Sequence, residues 1–514
     1  MNNLSSLLFV SILFFSLTNY AQGQDRPNIV IILADDLGYG DVSFYNENAA
    51  FETPNIDRLA DAGVAFTSAH TTSAVCTPTR YGLLTGRYNW RSTLKSGVTW
   101  GYSGPLISSE RMTVADMLQA RNYETAFVGK WHLGWDWHFA GEDPENLDNP
   151  NIRPEVDFSQ PIQNGPNARG FGYSYAIPAS LDMPPYVYVE NNQPTTIPTD
   201  TTVNYDHKGF WRKGLTGSDF SHTDVLPHLA DKTVEYINEQ ASNSDPFFMY
   251  FALPAPHTPI LPTSEYLGKS NSNLYGDFML QVDGVVGQVI DALEANDTFD
   301  NTILIFTSDN GASPRADFEE LQQAGHDPSY IYRGHKADIY EAGLRVPFLV
   351  SWPTGIEGPF ISDETISTAD FMATFADLTG TNLPDDAAED SYSFLPVLKQ
   401  QAYDKPLREA TVLHSIDGRF AIIKEEWKLI LWPGSGGWSY PNTEEDLRGL
   451  PSFQLYNLEK DPAEKFNLVH MYPDKVKELK SLLEKYIEEG RSTPGTPQIN
   501  AGPERWEQLD WMEL

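Results

Sequence analysis

The one cysteine of the chain, Cys76, is followed by Thr77-Pro78-Thr79-Arg80 and then, beyond Leu83-Leu84, by Thr85-Gly86. One cysteine cannot close an intramolecular disulfide, so it is either a small buried hydrophobe or a working group. Its neighbours favour the second role. Pro78 suits the first turn of a helix, and residues 80–86 read as a short helix behind it. A helix start offers free N–H groups and positive partial charge to an anion, and Arg80 adds a fixed positive charge. In outline this is a nucleophile beside an anion site.

Four more polar clusters share one context. Asp35-Asp36 follows the apolar run 28–33, and Lys130 with His132 follows the run 125–128. His257 follows the run 246–253, and Asp309-Asn310 follows the run 302–307. Continuous apolar runs of this length read as buried parallel strands, and in an open parallel sheet the carboxyl ends of the strands form the ligand crevice. Clusters far apart in sequence can therefore meet in one place. A single Asp after a strand is commonly only a helix cap, but here the context occurs twice. Three carboxylates and an amide oxygen form a set for a hard cation, calcium or magnesium rather than zinc. No histidine cluster accompanies them, which disfavours a two-zinc phosphatase.

These residues need a scaffold, and the hydrophobic pattern predicts one. Helices are expected at 56–63, 113–121, 223–241 (despite Pro227) and 275–295. In the last of these, Phe278, Val282, Val285, Val289 and Leu293 recur at spacings of three and four. With a further strand at 346–351, strand and helix alternate, giving an α/β domain with a large, mostly parallel sheet between helices. Residues 138–222 lack periodicity and are rich in Pro, Asn, Gly and aromatics, so they read as long surface loops of the kind that carry selectivity. From about residue 400 the pattern changes to strands at 411–415, 419–424, 427–431 and 454–457. A helix at 473–489 then turns Val476, Leu479, Leu482, Leu483 and Tyr486 inward. The expected division is a leader at 1–24, a catalytic domain at 25–400 and a smaller C-terminal α+β domain with an antiparallel sheet at 401–514.

Charge and the N-terminal run set further bounds. The 71 acidic and 35 basic residues give a formal charge of −36, which excludes a nucleic-acid partner needing a basic footprint. An anionic substrate would need Lys, Arg and His concentrated locally inside this acidic shell. Residues 7–17 form an apolar run of signal-peptide length before Ala21-Gln22-Gly23-Gln24, too short to span a bilayer and with no Lys or Arg ahead of it. The protein is therefore expected to be exported, periplasmic or secreted, with no membrane span. No cysteine follows the run, so a lipoprotein anchor is not expected.

Cys-x-Pro-Thr-Arg with Thr-Gly five residues after the arginine resembles the signature of the type I sulfatases. These formylglycine-dependent enzymes of the alkaline phosphatase superfamily include arylsulfatases and N-acetylgalactosamine-6-sulfatases. The resemblance extends along the chain. Ala34-Asp35-Asp36-x-Gly38 and Ser308-Asp309-Asn310-Gly311 match the family's calcium-ligand segments. Gly129-Lys130-Trp131-His132-x-Gly134 matches its Gly-Lys-x-His-x-Gly segment. His257 matches the other family histidine. Lys336, ahead of Glu341-Ala342-Gly343-Leu344-Arg345, matches the second lysine, with Ala342 where many relatives have glycine. The match thins over 138–222 and in the C-terminal domain.

What the resemblance implies is specific. The fold is alkaline-phosphatase-like. Cys76 is oxidised to formylglycine (3-oxoalanine) by a separate formylglycine-generating or sulfatase-maturing enzyme. One calcium ion is held by Asp35, Asp36, Asp309, Asn310 and residue 76. Lys130, Lys336 and Arg80 offset negative charge, His257 protonates the leaving alcohol, and His132 helps deprotonate the second hydroxyl of the hydrated aldehyde. Apart from the resemblance, Trp100, Trp135, Trp137 and Trp211 are candidates for stacking on sugar rings, and Arg315, Arg333 and His335, near the matched segments in sequence, for contact with further anionic groups. Export and the twelve tryptophans favour a sulfated carbohydrate, such as an algal polysaccharide or glycosaminoglycan fragment, over a free aryl sulfate. Two other readings stay open at this stage. One is a phosphodiesterase or phosphonate hydrolase of the same superfamily. The other is a non-catalytic glycan-binding protein with Cys76 unmodified.

Overall fold

The computed structural model describes residues 26–141, 144–403 and 406–513. The expected signal peptide lies outside the described residues. The main element is a ten-stranded sheet. Its middle runs in the order Phe348–Ser351, Thr302–Ser308, Asn28–Asp35, Phe247–Pro256, Glu124–Lys130, Tyr173–Ile177. From Thr302–Ser308 to Tyr173–Ile177 every pairing is parallel, and Phe348–Ser351 is antiparallel to its neighbours on both sides.

The central strands are apolar throughout because both of their faces are covered. Ile29, Ile31 and Leu33 point into one core with Val114, Leu118, Phe371 and Phe375. Val30, Ile32 and Ala34 point into the other with Leu229, Val282, Val286 and Leu293. This is the alternation a strand imposes, buried here on each side. The second layer includes the helices Pro54–Asp61, Val225–Gln240 and Leu274–Ala295. Pro227 falls in the first turn of its helix, where its missing N–H has no partner to lose.

Two sequence expectations are corrected. Residues 138–222 are not simply surface loops. Tyr173–Ile177 is a buried strand of the main sheet beside the Lys130 strand, and Asp200–Asn204 pairs with Trp211–Thr216 as an antiparallel ribbon. The helix expected at 56–63 ends at Asp61, and Gly63 opens a strand. A β-carbon on Gly63 would lie 1.8 Å from the Val350 carbonyl oxygen, so the close strand approach requires glycine.

The C-terminal part forms a four-stranded antiparallel sheet, Thr411–His414, Phe420–Lys424, Trp427–Ile430 and Gln454–Asn457, packed by the helix Pro473–Glu488. It is tied to the main body by buried charges: Lys428 bridges Glu341 and Glu464, each at 2.9 Å, and Glu341 also holds His70 and Arg345. Among the described residues no helix is long and apolar enough to cross a membrane.

Candidate active site

The strands ending at Asp35 and Lys130 and those leading to His257 and Asp309 are four neighbours in the sheet. Ala34 is level with Ser308, and Ala252 with both Leu33 and Gly129, so the four ends open onto one edge. Cys76 enters from the side as the first residue of the helix Cys76–Thr85. Gly86 closes that helix in the left-handed region at φ 62°, its N–H returned to the Gly82 carbonyl. Asp36 and His132 also sit at positive φ, 65° and 53°, a conformation that side-chain-bearing residues adopt at a cost. The matched motifs thus contain backbone held in shape for the site.

The converged side chains are interlocked. Cys76 Sγ lies 3.6 Å from Asp35 Oδ1 and 3.7 Å from Lys336 Nζ. Lys336 Nζ is 2.6 Å from Asp36 Oδ1, and Lys130 Nζ pairs with Asp35 Oδ2. Arg80 donates to Asp309 Oδ2 through Nε at 3.1 Å and Nη2 at 2.7 Å, and through Nη1 to the Lys130 carbonyl. His257 Nε2 stands 3.6 Å from Asp36 Oδ2, with Nδ1 directed to the Thr258 carbonyl. His132 Nε2 lies 2.8 Å from the Thr99 carbonyl, and its buried Nδ1 has no partner among the described residues.

Three carboxylates, Asp35, Asp36 and Asp309, face three cations, Arg80, Lys130 and Lys336, all of them buried. Burial alone would raise Asp35, but Lys130, His257, Arg80 and Lys336 more than reverse it and hold its carboxyl well below the usual range. Burial, reinforced by the negative charge of Asp35, pushes Asp309 up to about 6. Burial pushes the Cys76 thiol up to about 12, so an unmodified thiol here is neutral. His132 is driven well below its ordinary value by burial and then by Lys130 and Arg80, which keeps it uncharged.

The same pocket fits a metal ion. Donor atoms of Asp35, Asp36, Cys76 and His257 lie within 4.8 Å of one another. The amide nitrogen of Asn310 donates to Asp36 Oδ1 and to the Gly311 carbonyl, while its buried Oδ1 has no hydrogen-bond partner among the described residues. A buried carbonyl oxygen left unpaired is costly, and a cation at that point satisfies it. A divalent ion added to the balanced set of three carboxylates and three cations leaves excess positive charge, which suits an anionic substrate.

Above this floor opens a cleft of about 420 Å³ lined by Asp36, His257 and Lys336, with Asp182, His207, Phe210, Arg212, Arg315 and Trp438 at its sides. A larger cavity of about 910 Å³, lined by His70, Arg345, Glu409 and Lys424 among others, contains none of the converged residues. Of the sequence candidates for substrate contact, Arg315 lines the cleft and Trp100 stands behind it, its ring 5.0 Å from the Arg212 guanidinium. Arg333 is turned away, over the Tyr340 ring at 3.8 Å and donating to the Glu464 carbonyl at 3.0 Å. His335 is held by the Lys336 carbonyl and Asp338, and neither residue lines the cleft. Trp135 and Trp137 are buried against each other in the core, and Trp211 stacks on His222 at 4.0 Å. Sequence reasoning missed Asp182, His207, Phe210, Arg212 and Trp438. The clue available was their place in the unpatterned segments after the matched motifs.

Comparison with known proteins agrees with this geometry. Residues 27–381 match the sulfatase family and residues 334–493 the C-terminal region of N-sulphoglucosamine sulphohydrolase. An N-acetylgalactosamine-6-O-sulfatase of Bacteroides thetaiotaomicron is 37% identical over 506 residues, covering 90% of this chain and 93% of that protein. Human arylsulfatase A is 30% identical, covering 86% and 83%. A solved B. thetaiotaomicron structure, described with that organism's metabolism of multiple glycosaminoglycans, superposes with a TM-score of 0.78 at 36% identity. It covers 90% of this chain and 99% of that one. With the family matched over most of its length, and its large parallel sheet and small antiparallel sheet in place, the chain belongs to the sulfatases, hydrolases of sulfuric esters.

Proposed function

We propose that the protein is an exported sulfatase that removes sulfate from sulfated carbohydrate, with residue 76 working as formylglycine beside one calcium ion. The observation that carries this reading is the convergence of Cys76 with Asp35, Asp36, Lys336 and His257 at the open edge of the sheet. The saccharide substrate is supported by the relatives named for N-acetylgalactosamine 6-sulfate and by the neighbour described with glycosaminoglycan metabolism. In this reading residues 1–24 are a signal peptide, 25–400 the catalytic unit and 401–514 the C-terminal unit. Cys76 is converted by a separate maturing enzyme.

Asp35, Asp36, Asp309, Asn310 and residue 76 would hold the ion, which when bound supplies Lewis-acid polarisation of sulfate oxygens. Elemental analysis of active protein is expected to find a single calcium per chain, lost with activity on chelation. Zinc in its place, or full activity in thoroughly chelated protein, overturns the assignment.

The chain's own residues divide the remaining work. Lys130, Lys336 and Arg80 stabilise the charge that develops on the sulfuryl group. A hydroxyl oxygen of hydrated residue 76 bonds to sulfur, giving up its proton to water, as the ester S–O bond breaks and the alcohol leaves with a proton from His257. His257 Nδ1–H donates to the Thr258 carbonyl, which leaves Nε2 for that transfer. His132 is oriented as a base: the Thr99 carbonyl can only accept, so Nε2 carries the hydrogen and the unpartnered Nδ1 has a free lone pair. It takes the proton of the second hydroxyl as the C–O bond to sulfate breaks and the aldehyde returns.

A poor leaving group needs the acid more than a good one does. His257→Ala is expected to slow hydrolysis of a sulfated sugar by about 10²–10⁴-fold and of nitrophenyl sulfate much less. Rates measured on one enzyme batch cancel differences in formylglycine content. Equal losses on both substrates would make His257 a binding residue instead, and no loss on either would remove it from the chemistry.

A further inference from the structure

The outer half of the cleft carries a positive charge that the sulfuryl chemistry does not use. Both of its lining carboxylates are already committed: Asp36 to Lys336 and Asn310, and Asp182 to Arg212. Arg315 is exposed at the same mouth. Its guanidinium lies 5.5 Å from the Phe210 ring and reaches the His207 carbonyl only at 3.4 Å, and among the described residues no carboxylate forms an ion pair with it. Phe210 also carries the Arg212 guanidinium at 5.3 Å, and Arg212 rests against Trp100. Trp100, Arg212, Phe210 and Arg315 therefore form one aromatic-cation wall, with its last charge unpaired. The chain has 71 acidic residues against 35 basic ones, so counter-charges are abundant, yet among the described residues none pairs with Arg315.

We propose that this wall is a subsite for a second anionic group, on the saccharide unit next to the one that bears the scissile sulfate, and that Arg315 pairs with it. The inference rests on the sulfatase reading of the site below. A guanidinium accepts a carboxylate or a sulfate equally well through its planar fork, so the shared chemistry is an anion of either kind. The committed Arg212 braces Phe210 and directs the wall, and Arg315 supplies the free charge.

The test uses full-length holoenzyme hydrolysing nitrophenyl sulfate at low ionic strength, where an exposed charge is least screened. Two matched pairs of disaccharides serve as competitors: a sulfated uronate disaccharide with its carboxyl-reduced form, and a disulfated disaccharide with the form lacking the neighbouring sulfate. The charged member of at least one pair is expected to inhibit about three- to tenfold more tightly, and the responding pair identifies the anion. In Arg315→Gln that ratio falls to near one, and in Arg315→Lys part of it returns. Equal inhibition within both pairs by the wild type, or a ratio that survives Arg315→Gln, overturns the proposal. Absence of nitrophenyl sulfate hydrolysis is a different failure, that of the sulfatase reading. The same ratios read as calorimetric Kd values then still decide whether the subsite exists.

Discussion

Cys76→Ala is expected to abolish sulfate-ester hydrolysis while leaving the fold intact. The substitution removes the sulfur whose oxidative loss turns Cβ into an aldehyde, so neither hydroxyl of the hydrate can form. What remains is binding and charge stabilisation, so the fall should be on the order of 10⁴-fold or more, as when a covalent nucleophile is deleted from a working unit. The structural cost is small. Cys76 is buried at a helix start, its loss opens only a sulfur-sized gap, and it donates no strong hydrogen bond. A thermal midpoint close to wild type with turnover gone separates chemistry from folding. Cys76→Ser refines the point. A single hydroxyl can take sulfate but has no second hydroxyl to expel it, so at most one product per site is expected. Multiple turnover by either variant would take residue 76 out of the mechanism.

Arg80→Ala is expected to damage both stability and rate. Arg80 is fully buried, holds Asp309 through two nitrogens and fixes the Lys130 carbonyl through a third. Removing one partner of a buried ion pair leaves an uncompensated charge and typically costs about 3–5 kcal/mol. Here Asp309 would be left beside Asp35, two carboxylates that already repel. The loss should appear as a clear drop in denaturation midpoint. Surviving folded protein should be slower by about 10²–10³-fold, the scale of losing one preorganised electrostatic group. Arg80→Lys restores charge but not the fork, and is expected to recover stability better than rate. A variant with wild-type stability would show that Asp309 is neutralised by something other than Arg80.

The parts of this architecture that were legible in the sequence share a physical cause. The strands at 28–35, 247–256 and 302–308 are buried on both faces, so they had to be largely apolar runs, and each run pointed to the polar residue or pair at its end. The C-terminal strands were legible as short buried runs closed off by polar turn residues, Asp417-Gly418 and Glu425-Glu426. The strand Tyr173–Ile177 was hidden because Gly170 and Gly172 before it and Pro178 after it imitate loop composition and leave only five residues in which a period could show. The ribbon 200–216 was hidden for the opposite reason: its outer strand is mostly exposed and polar, and pairing alone defines it.

Direction was the other thing missing from the sequence. Arg333, His335 and Lys336 are near neighbours in the chain, yet Gly334 at φ 82° turns the backbone after Arg333, His335 folds back onto the Lys336 carbonyl, and only Lys336 reaches the cysteine. Proximity in sequence therefore gave one site residue out of the three. Trp438 comes from the C-terminal part, positioned because its N–H donates to Asp338 Oδ1 at 2.8 Å, two residues beyond Lys336. No local pattern announces a contact made across the whole chain.

The central claim is that residue 76 carries an aldehyde in the working protein. Mass spectrometry of the peptide spanning residue 76, from protein whose sulfate-ester turnover has been measured, tests it most directly. The expected species is one in which the cysteine has lost sulfur and two hydrogens and gained one oxygen, in a fraction that rises and falls with specific activity across preparations. Active protein in which every copy of residue 76 is an intact cysteine would contradict it.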